Sequence, residues 1–269
     1  MDLNKIVREI EKDEKLLNAY DKQLRNSARA YRRSVIRSVN NAMENLVTDD
    51  QGRIHTGMQN QNVLDEIEKV GVDAVTDDMR EVVEEANQIF QKRMKTLDRM
   101  AKNLGIEEAM LGDNLEEIPF FKNKVESVSD RLSEGSSQIA EEIERSIARV
   151  KRTLQGGDQV TKQNVVDTIR TQAGKPANYA YTIANTELMA IDRGARVIQG
   201  EKAGIDQYWY TGPGPDQIIR DFCADHLDRV ESVGYWNNIS NDTGPNPVTE
   251  YGGGYNCRHR LVMWRDEWS

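Results

Sequence analysis

The chain has 269 residues, 38% hydrophobic and 30% charged, with a formal net charge of −9; that is enough for one large domain or two ordinary ones with a true core. An acidic balance of this size excludes a general coat for nucleic acid, which needs basic surface, while leaving room for a local contact with DNA. No apolar run approaches the ~18 residues of a membrane span, and the charged start MDLNKIVREIEKDEKLL has no apolar signal core, so neither a membrane nor export is expected.

From Leu3 to Leu46 apolar residues recur at threes and fours (Leu17, Tyr20, Leu24, Ala28, Tyr31, Val35 and Val39 among them), which predicts one long amphipathic helix. The stretch TDDQGRIHTGMQNQN (48–62) breaks the pattern with turn residues. A second stripe runs from Val63 to Leu104, before Gly105, Gly112 and Pro119 interrupt. A third helix is expected from Val125 to Leu154, with Val128, Leu132, Ile139, Ile143, Ile147 and Val150 on one face, and Gln155-Gly156-Gly157-Asp158 is a turn. Residues 160–200 predict two more helices, the first capped by Thr161 and the two separated by Gly174-Lys175-Pro176. Short connections favour antiparallel neighbours, hence a bundle or helical hairpins. These stripes are read as core packing, with any remaining face available to another protein chain.

The composition changes after residue 204. All four tryptophans (Trp209, Trp236, Trp264 and Trp268), both cysteines and four of the six prolines lie beyond it. The aromatic, alternating GIDQYWYTG (204–212) predicts a strand. PGPDQ is a turn, IIRDFCADHLDRV (218–230) a short helix, residues 232–256 a long Gly/Asn/Pro loop, and CRHRLVMW (257–264) a closing strand. The fold class expected is mostly α: an extended helical N-terminal region (1–154) followed by a small α+β region (155–269) whose compact end, 205–269, is pinned by a metal.

Cysteine and histidine are scarce, two and three in the whole chain, yet two of each meet in this tail. Cys223 and His226 are three apart on the predicted helix and share a face. Cys257 and His259 are two apart in an extended segment and share a face there too. The thirty intervening residues can bring the pairs together as a Cys2His2 set suited to tetrahedral zinc. A structural zinc supplies on the order of 10 kcal/mol in small zinc-folded units, which would offset a meagre core. Other readings of the same residues are a Cys223–Cys257 disulfide, disfavoured in a reducing cytosol, plain buried thiols, or a catalytic Cys–His pair. Four protein ligands would close the site, whereas three plus water would suit an enzyme. Asp216, Asp221, Asp225 and Asp228 cluster around the same helix; a divalent-cation site is one reading, and a solvated acidic face is the favoured one. GPGP (212–215) lacks the Lys-Ser/Thr of a phosphate loop, and His55 sits alone in a polar turn.

Three segments carry a resemblance: YTIANTELMAIDRGARVIQGEKAGIDQYWY (181–210), RDFCADHLDRV (220–230) and GGYNCRHRLVMW (253–264). In order and spacing, over roughly 160–265, they resemble the phage Mu F-like minor head protein family, the phage head morphogenesis proteins. That family shows an I-A-R-T-E helix, a strand with a Trp, an R-x-x-C element, a variable loop and a closing N-C-R-C or N-C-R-H. The matching positions are Ile183-Ala184-Asn185-Thr186-Glu187, Trp209, Arg220 with Cys223, and Asn256-Cys257-Arg258-His259. Asn185 stands where the family has Arg, and Gly254-Tyr255 where it often has His-Pro. The resemblance implies a structural, non-enzymatic role in the virion of a tailed phage. It further implies association with the portal protein, the major capsid protein or scaffold during procapsid assembly in the host cytoplasm, with effects on DNA packaging or ejection and an indirect contact with DNA. Related tails also occur fused to effector domains, but here the chain ends five residues after Trp264. A metal-dependent nuclease or hydrolase, or a toxin-associated module, is the alternative. Glu187 is expected to be a structural carboxylate paired with Arg220 or Arg258, since a buried carboxylate needs a partner.

Overall fold

The structure is a computed structural model and describes residues 3–112, 118–213, 220–242 and 244–266. Four long helices dominate: α1 (Leu3–Met43), α2 (Met58–Leu104), α3 (Pro119–Gln155) and α4 (Lys162–Lys202), with a short 3-10 turn at Glu107–Ala109 between the second and third. The C-terminal region holds β1 (Gln207–Thr211), α5 (Asp221–His226), β2 (Val230–Ser232), α6 (Val233–Asn238), α7 (Val248–Tyr251) and β3 (Arg260–Trp264). The expected class, long N-terminal helices and a small α+β end, is the one observed.

The chain divides into two compact units, and neither is a continuous segment. One comprises Met1–Gln23, Ala86–Val128 and Thr182–Ser269; the other comprises Leu24–Glu85 and Ser129–Tyr181. The division therefore does not fall at residue 154, because each long helix contributes residues to both units. In the second unit Leu24, Val35, Val39, Ile67, Val75, Leu132, Ile143 and Val165 are buried, the predicted stripes turned inward. Its turns are tied to each other by backbone: Ile54 N–H donates to the Val160 carbonyl at 2.9 Å and Lys162 N–H to that of Gly52 at 3.0 Å. The side chain of Asn60 satisfies both the N–H and the carbonyl of Val47 and the carbonyl of His55.

In the first unit the sheet order is β2-β1-β3, both pairings antiparallel, with Trp209 opposite Val230 on one side and Val262 on the other. Alternation puts Tyr208 and Tyr210 on the buried face of β1. They pack with Trp236, Val248, Leu261 and Met263, and with Ile10, Met100 and Leu104 from the long helices. Residues from α1 and α2 complete the core of the tail.

A buried ion network crosses this unit. Asp13 (2% exposed), Arg93 (0%), Asp192 (0%), Arg196 (2%) and Arg260 (3%) come from four different elements. Arg93 donates to both carboxylates, Arg196 reaches Asp13 at 2.5 Å, and Arg260 reaches Asp13 at 3.0 Å. Burial alone would raise the Asp13 carboxyl. The Arg93 and Arg196 guanidiniums outweigh that burial and hold it well below the usual carboxylate range.

Three local expectations need correction. Residues 160–200 form one helix rather than two: α4 runs unbroken through Gly174-Lys175-Pro176. Proline costs a helix interior about 3 kcal/mol, but Val165 and Ile169 before it and Ala180, Ile183 and Ala184 after it are buried, and that packing holds both halves in helical register. Thr161 does cap it, its Oγ1 accepting the Asn164 N–H at 3.2 Å. The helix expected over 218–230 is only α5, Asp221–His226, with 218 and 219 outside the described residues. Asp228 adopts φ 64°. Its N–H donates to the Tyr210 carbonyl at 2.8 Å, and the Arg229 carbonyl accepts from Tyr210 N–H at 2.8 Å, so pairing with β1 displaces the helix. Nor is 232–256 all loop. Ser232 Oγ accepts the Tyr235 N–H at 3.2 Å and caps α6, whose Trp236 is buried. The side chain of buried Asn241 donates to the carbonyls of Pro245 and Gly252 and accepts from Gly244. The turn expected at PGPDQ and the residue Asp216 lie mostly or wholly in 214–219, outside the described residues.

Candidate metal centre

Cys223 lies in α5, Cys257 and His259 just ahead of β3, and all three are buried with their donor atoms within 4.8 Å of one another. Cys223 Sγ is 3.7 Å from Cys257 Sγ, and Cys257 Sγ is 3.8 Å from His259 Nδ1. Both cysteines are free thiols, so the disulfide alternative is not formed. For comparison, two sulfurs at ~2.3 Å from one tetrahedral zinc stand about 3.8 Å apart, and a sulfur and an imidazole nitrogen about 3.6 Å apart.

The surrounding atoms suit thiolates and a metallated imidazole. Gly253 N–H donates to Cys257 Sγ at 3.1 Å. His259 Nε2 lies 3.2 Å from the Pro213 carbonyl oxygen; that oxygen can only accept, so Nε2 carries the proton and Nδ1, the atom facing Cys257, presents its lone pair. The His259 ring stacks on Tyr210 with centroids 5.3 Å apart and 1° between planes. The Tyr210 hydroxyl sits 3.3 Å from Cys223 Sγ and 3.6 Å from Cys257 Sγ. Burial, then the neighbouring sulfurs, push that phenol far up, so it stays protonated and offers its hydrogen to sulfur. Between the cysteines, the hydrogen bond from Cys223, aided by the Arg193 guanidinium, holds the Cys257 thiol well below its ordinary value. The same contact, with burial, pushes the Cys223 thiol up. A divalent cation between the sulfurs would replace their protons.

Arg193, from α4, fixes the segment in place. It is 1% exposed and donates to three backbone carbonyls: His259 at 2.8 Å, Glu250 at 2.7 Å and Cys257 at 2.6 Å. The triple glycine has a steric explanation at two positions. Gly252 has φ 54°, and a Cβ there would lie 2.9 Å from Cys257 Sγ. A Cβ on Gly253 would overlap Cys223 Sγ. The backbone must approach the sulfurs closely, and only glycine permits it.

Of the four ligands expected, three converge and His226 does not. It shares α5 with Cys223, but its Nδ1 lies 2.8 Å from the Phe222 carbonyl and its ring stacks on Phe222 with centroids 4.3 Å apart. The helix ends at His226, and the side chain folds back along the aromatic surface instead of inward. Glu187 also finds a different partner. It is fully buried, and Lys124 Nζ lies 3.6 Å from its carboxylate, whereas Arg220 donates to the Tyr255 carbonyl and Arg258 to Asn18. Tyr210, Arg193 and the close approach of Gly252 and Gly253 were not singled out from the sequence. Their part depends on which distant segments meet.

No protein-family model, curated protein or solved structure matches the chain.

Proposed function

We propose that this chain is a structural minor head protein of a tailed bacteriophage, of the Mu F-like kind, with a zinc ion on Cys223, Cys257 and His259 pinning its C-terminal region. One observation carries the reading: the residues that make up the resemblance interlock. Asn256, at φ 56°, donates its N–H to Thr186 Oγ1 at 3.0 Å, and its side-chain oxygen accepts from Asn185 at 3.1 Å. Arg220 ties to Tyr255 and Cys223 meets Cys257. Helix motif, R-x-x-C element and closing N-C-R-H thus form one packed cluster, the arrangement a structural motif needs. In this reading the protein joins the procapsid in the host cytoplasm, through the portal protein, the major capsid protein or scaffold. It stays in the virion and affects DNA packaging or ejection. No helix among the described residues is long and apolar enough to cross a membrane. Quantitative mass spectrometry of gradient-purified procapsids and virions from the source tests it. A few copies per particle, lost when portal is omitted, are expected; absence from every particle refutes it.

A second reading is favoured by the ligand count. Three protein ligands leave a fourth zinc position for water, as in metal-dependent hydrolases and nucleases. Burial weighs against it: Cys223, Cys257 and His259 are 2–3% exposed and Tyr210 covers both sulfurs, so a substrate has no approach on that side. Zinc-dependent hydrolysis of DNA or ester substrates by the purified protein, abolished by Cys257→Ser, would establish this reading instead.

A further inference from the structure

The second unit carries a feature unrelated to the metal centre. Residues 24–43 of α1, LRNSARAYRRSVIRSVNNAM, contain five arginines and no acidic residue, in a chain whose net charge is −9. The buried stripe of Leu24, Ala28, Tyr31, Val35, Val39 and Met43 fixes which face turns outward. Between residues 25 and 41 the exposed positions are the five arginines, three asparagines and Ala30. Arg25 is engaged by Tyr181, donating to its hydroxyl at 2.8 Å and lying over its ring. Among the described residues Arg29, Arg32, Arg33 and Arg37 form no ion pair.

This arrangement works against the helix. Arg25/Arg29, Arg29/Arg33 and Arg33/Arg37 are successive i,i+4 pairs of like charge, each of which weakens a helix. An ordinary solvated face relieves such repulsion with alternating acids, as α3 does where Arg145 meets Glu141 at 2.7 Å. Here no acid is interposed, so relief must come from outside. The face also lacks what a protein partner would grip. The exposed large hydrophobics are Val7, Val47, Met58, Tyr179 and Tyr255, none of them in residues 24–43, whereas protein interfaces are anchored on buried aromatic and apolar side chains. Nucleic-acid interfaces are polar and strongly positive, and a planar guanidinium matches phosphate oxygens bidentately.

We propose that this face of α1 is a docking surface for the phosphate backbone of duplex nucleic acid, carried by Arg29, Arg32, Arg33 and Arg37. At ~1.5 Å rise per residue the strip from Arg25 to Arg37 spans about 18 Å, room for contacts to about three to five phosphates of a duplex. The contact is to backbone and is independent of base sequence. The overall charge of −9 conceals it, because exposed acids such as Glu66, Asp73 and Asp77 of α2 cancel the arginines in the sum without pairing with them.

The test uses the full-length protein and a fluorescein-labelled mixed-sequence DNA duplex of ~25 base pairs, followed by anisotropy between 50 and 200 mM salt. For three to five phosphate contacts, affinity should fall roughly 40- to 500-fold across that range. A scrambled duplex should bind equally. The variant R29Q/R32Q/R33Q/R37Q changes only exposed positions to a good helix former and should keep its circular dichroism and melting temperature while losing at least tenfold in affinity at 50 mM. No binding by the wild type at 50 mM salt overturns the proposal, as does binding that the quadruple variant retains. It is equally overturned if light scattering shows that the arginines drive self-association of the chain without DNA.

Discussion

Arg193→Met removes a buried fork while keeping much of its length and apolar stem. Arg193 donates to the carbonyls of Glu250, Cys257 and His259 at 2.6–2.8 Å, and a hydrogen bond from a charged donor contributes about 1.5–3 kcal/mol net. Three such bonds give a gross loss of about 4–9 kcal/mol. Removing the guanidinium also removes the cost of burying it, so a net destabilisation of about 3–5 kcal/mol is expected, the usual range for a broken buried charged contact. The assay is urea unfolding followed by tryptophan fluorescence. It reports the right region, because every tryptophan lies after residue 204 and Trp236 is fully buried beside Tyr210. Arg193→Lys keeps the charge but presents one flexible donor head in place of a planar fork, and should recover less than half of the loss. A loss under about 1 kcal/mol for Arg193→Met, or full recovery with Lys, would refute the claim that this side chain holds the Cys257–His259 segment.

The other predictions concern the same unit. Gly253→Ala places a methyl group against Cys223 Sγ and should cost about 1–3 kcal/mol, as overpacking does, with earlier loss of metal to a chelator; an unchanged melting temperature and chelator midpoint would contradict it. Asp13→Asn leaves Arg93 and Arg196 sharing Asp192, with Arg260 left to Glu14 at 3.9 Å, and should cost about 3–5 kcal/mol in thermal or denaturant unfolding. The folded Asp13 and Asp192 carboxyls are held below their unfolded values. Their stabilisation is therefore complete above about pH 4 and is lost as pH falls further, and the wild-type acid transition should be steeper than that of Asp13→Asn. A fragment of residues 155–269 lacks Asp13, Arg93 and Lys124 and should fail to give a cooperative melt; a well-dispersed NMR spectrum would contradict this.

The helices were legible because their stripes are long: Leu24 to Met43 and Val63 to Leu104 repeat the same spacing for many turns, and burial follows it. The strand at Tyr208–Tyr210 was legible for the same reason at period two. Where reading failed, distant partners decided. Pro176 signals a break, but burial on both flanks overrides it. His226 has the spacing of a ligand, yet the aromatic face of Phe222 takes it. Cys223, Cys257 and His259 stood out through their scarcity and their spacing. The ion network did not, because Asp13, Arg93, Asp192, Arg196 and Arg260 look like ordinary surface charges until the fold brings four elements together. The division into units was hidden likewise, since no composition shift marks residues 85 or 128.

The most direct measurement is elemental analysis of the full-length protein after gel filtration in metal-free buffer, with Cys257→Ser and His226→Ala alongside. One zinc per chain is expected in the wild type and in His226→Ala. None is expected in Cys257→Ser, whose tryptophan signal should loosen while the helical circular dichroism persists. A wild-type protein free of metal, and a Cys257→Ser variant that melts as the wild type does, would contradict it.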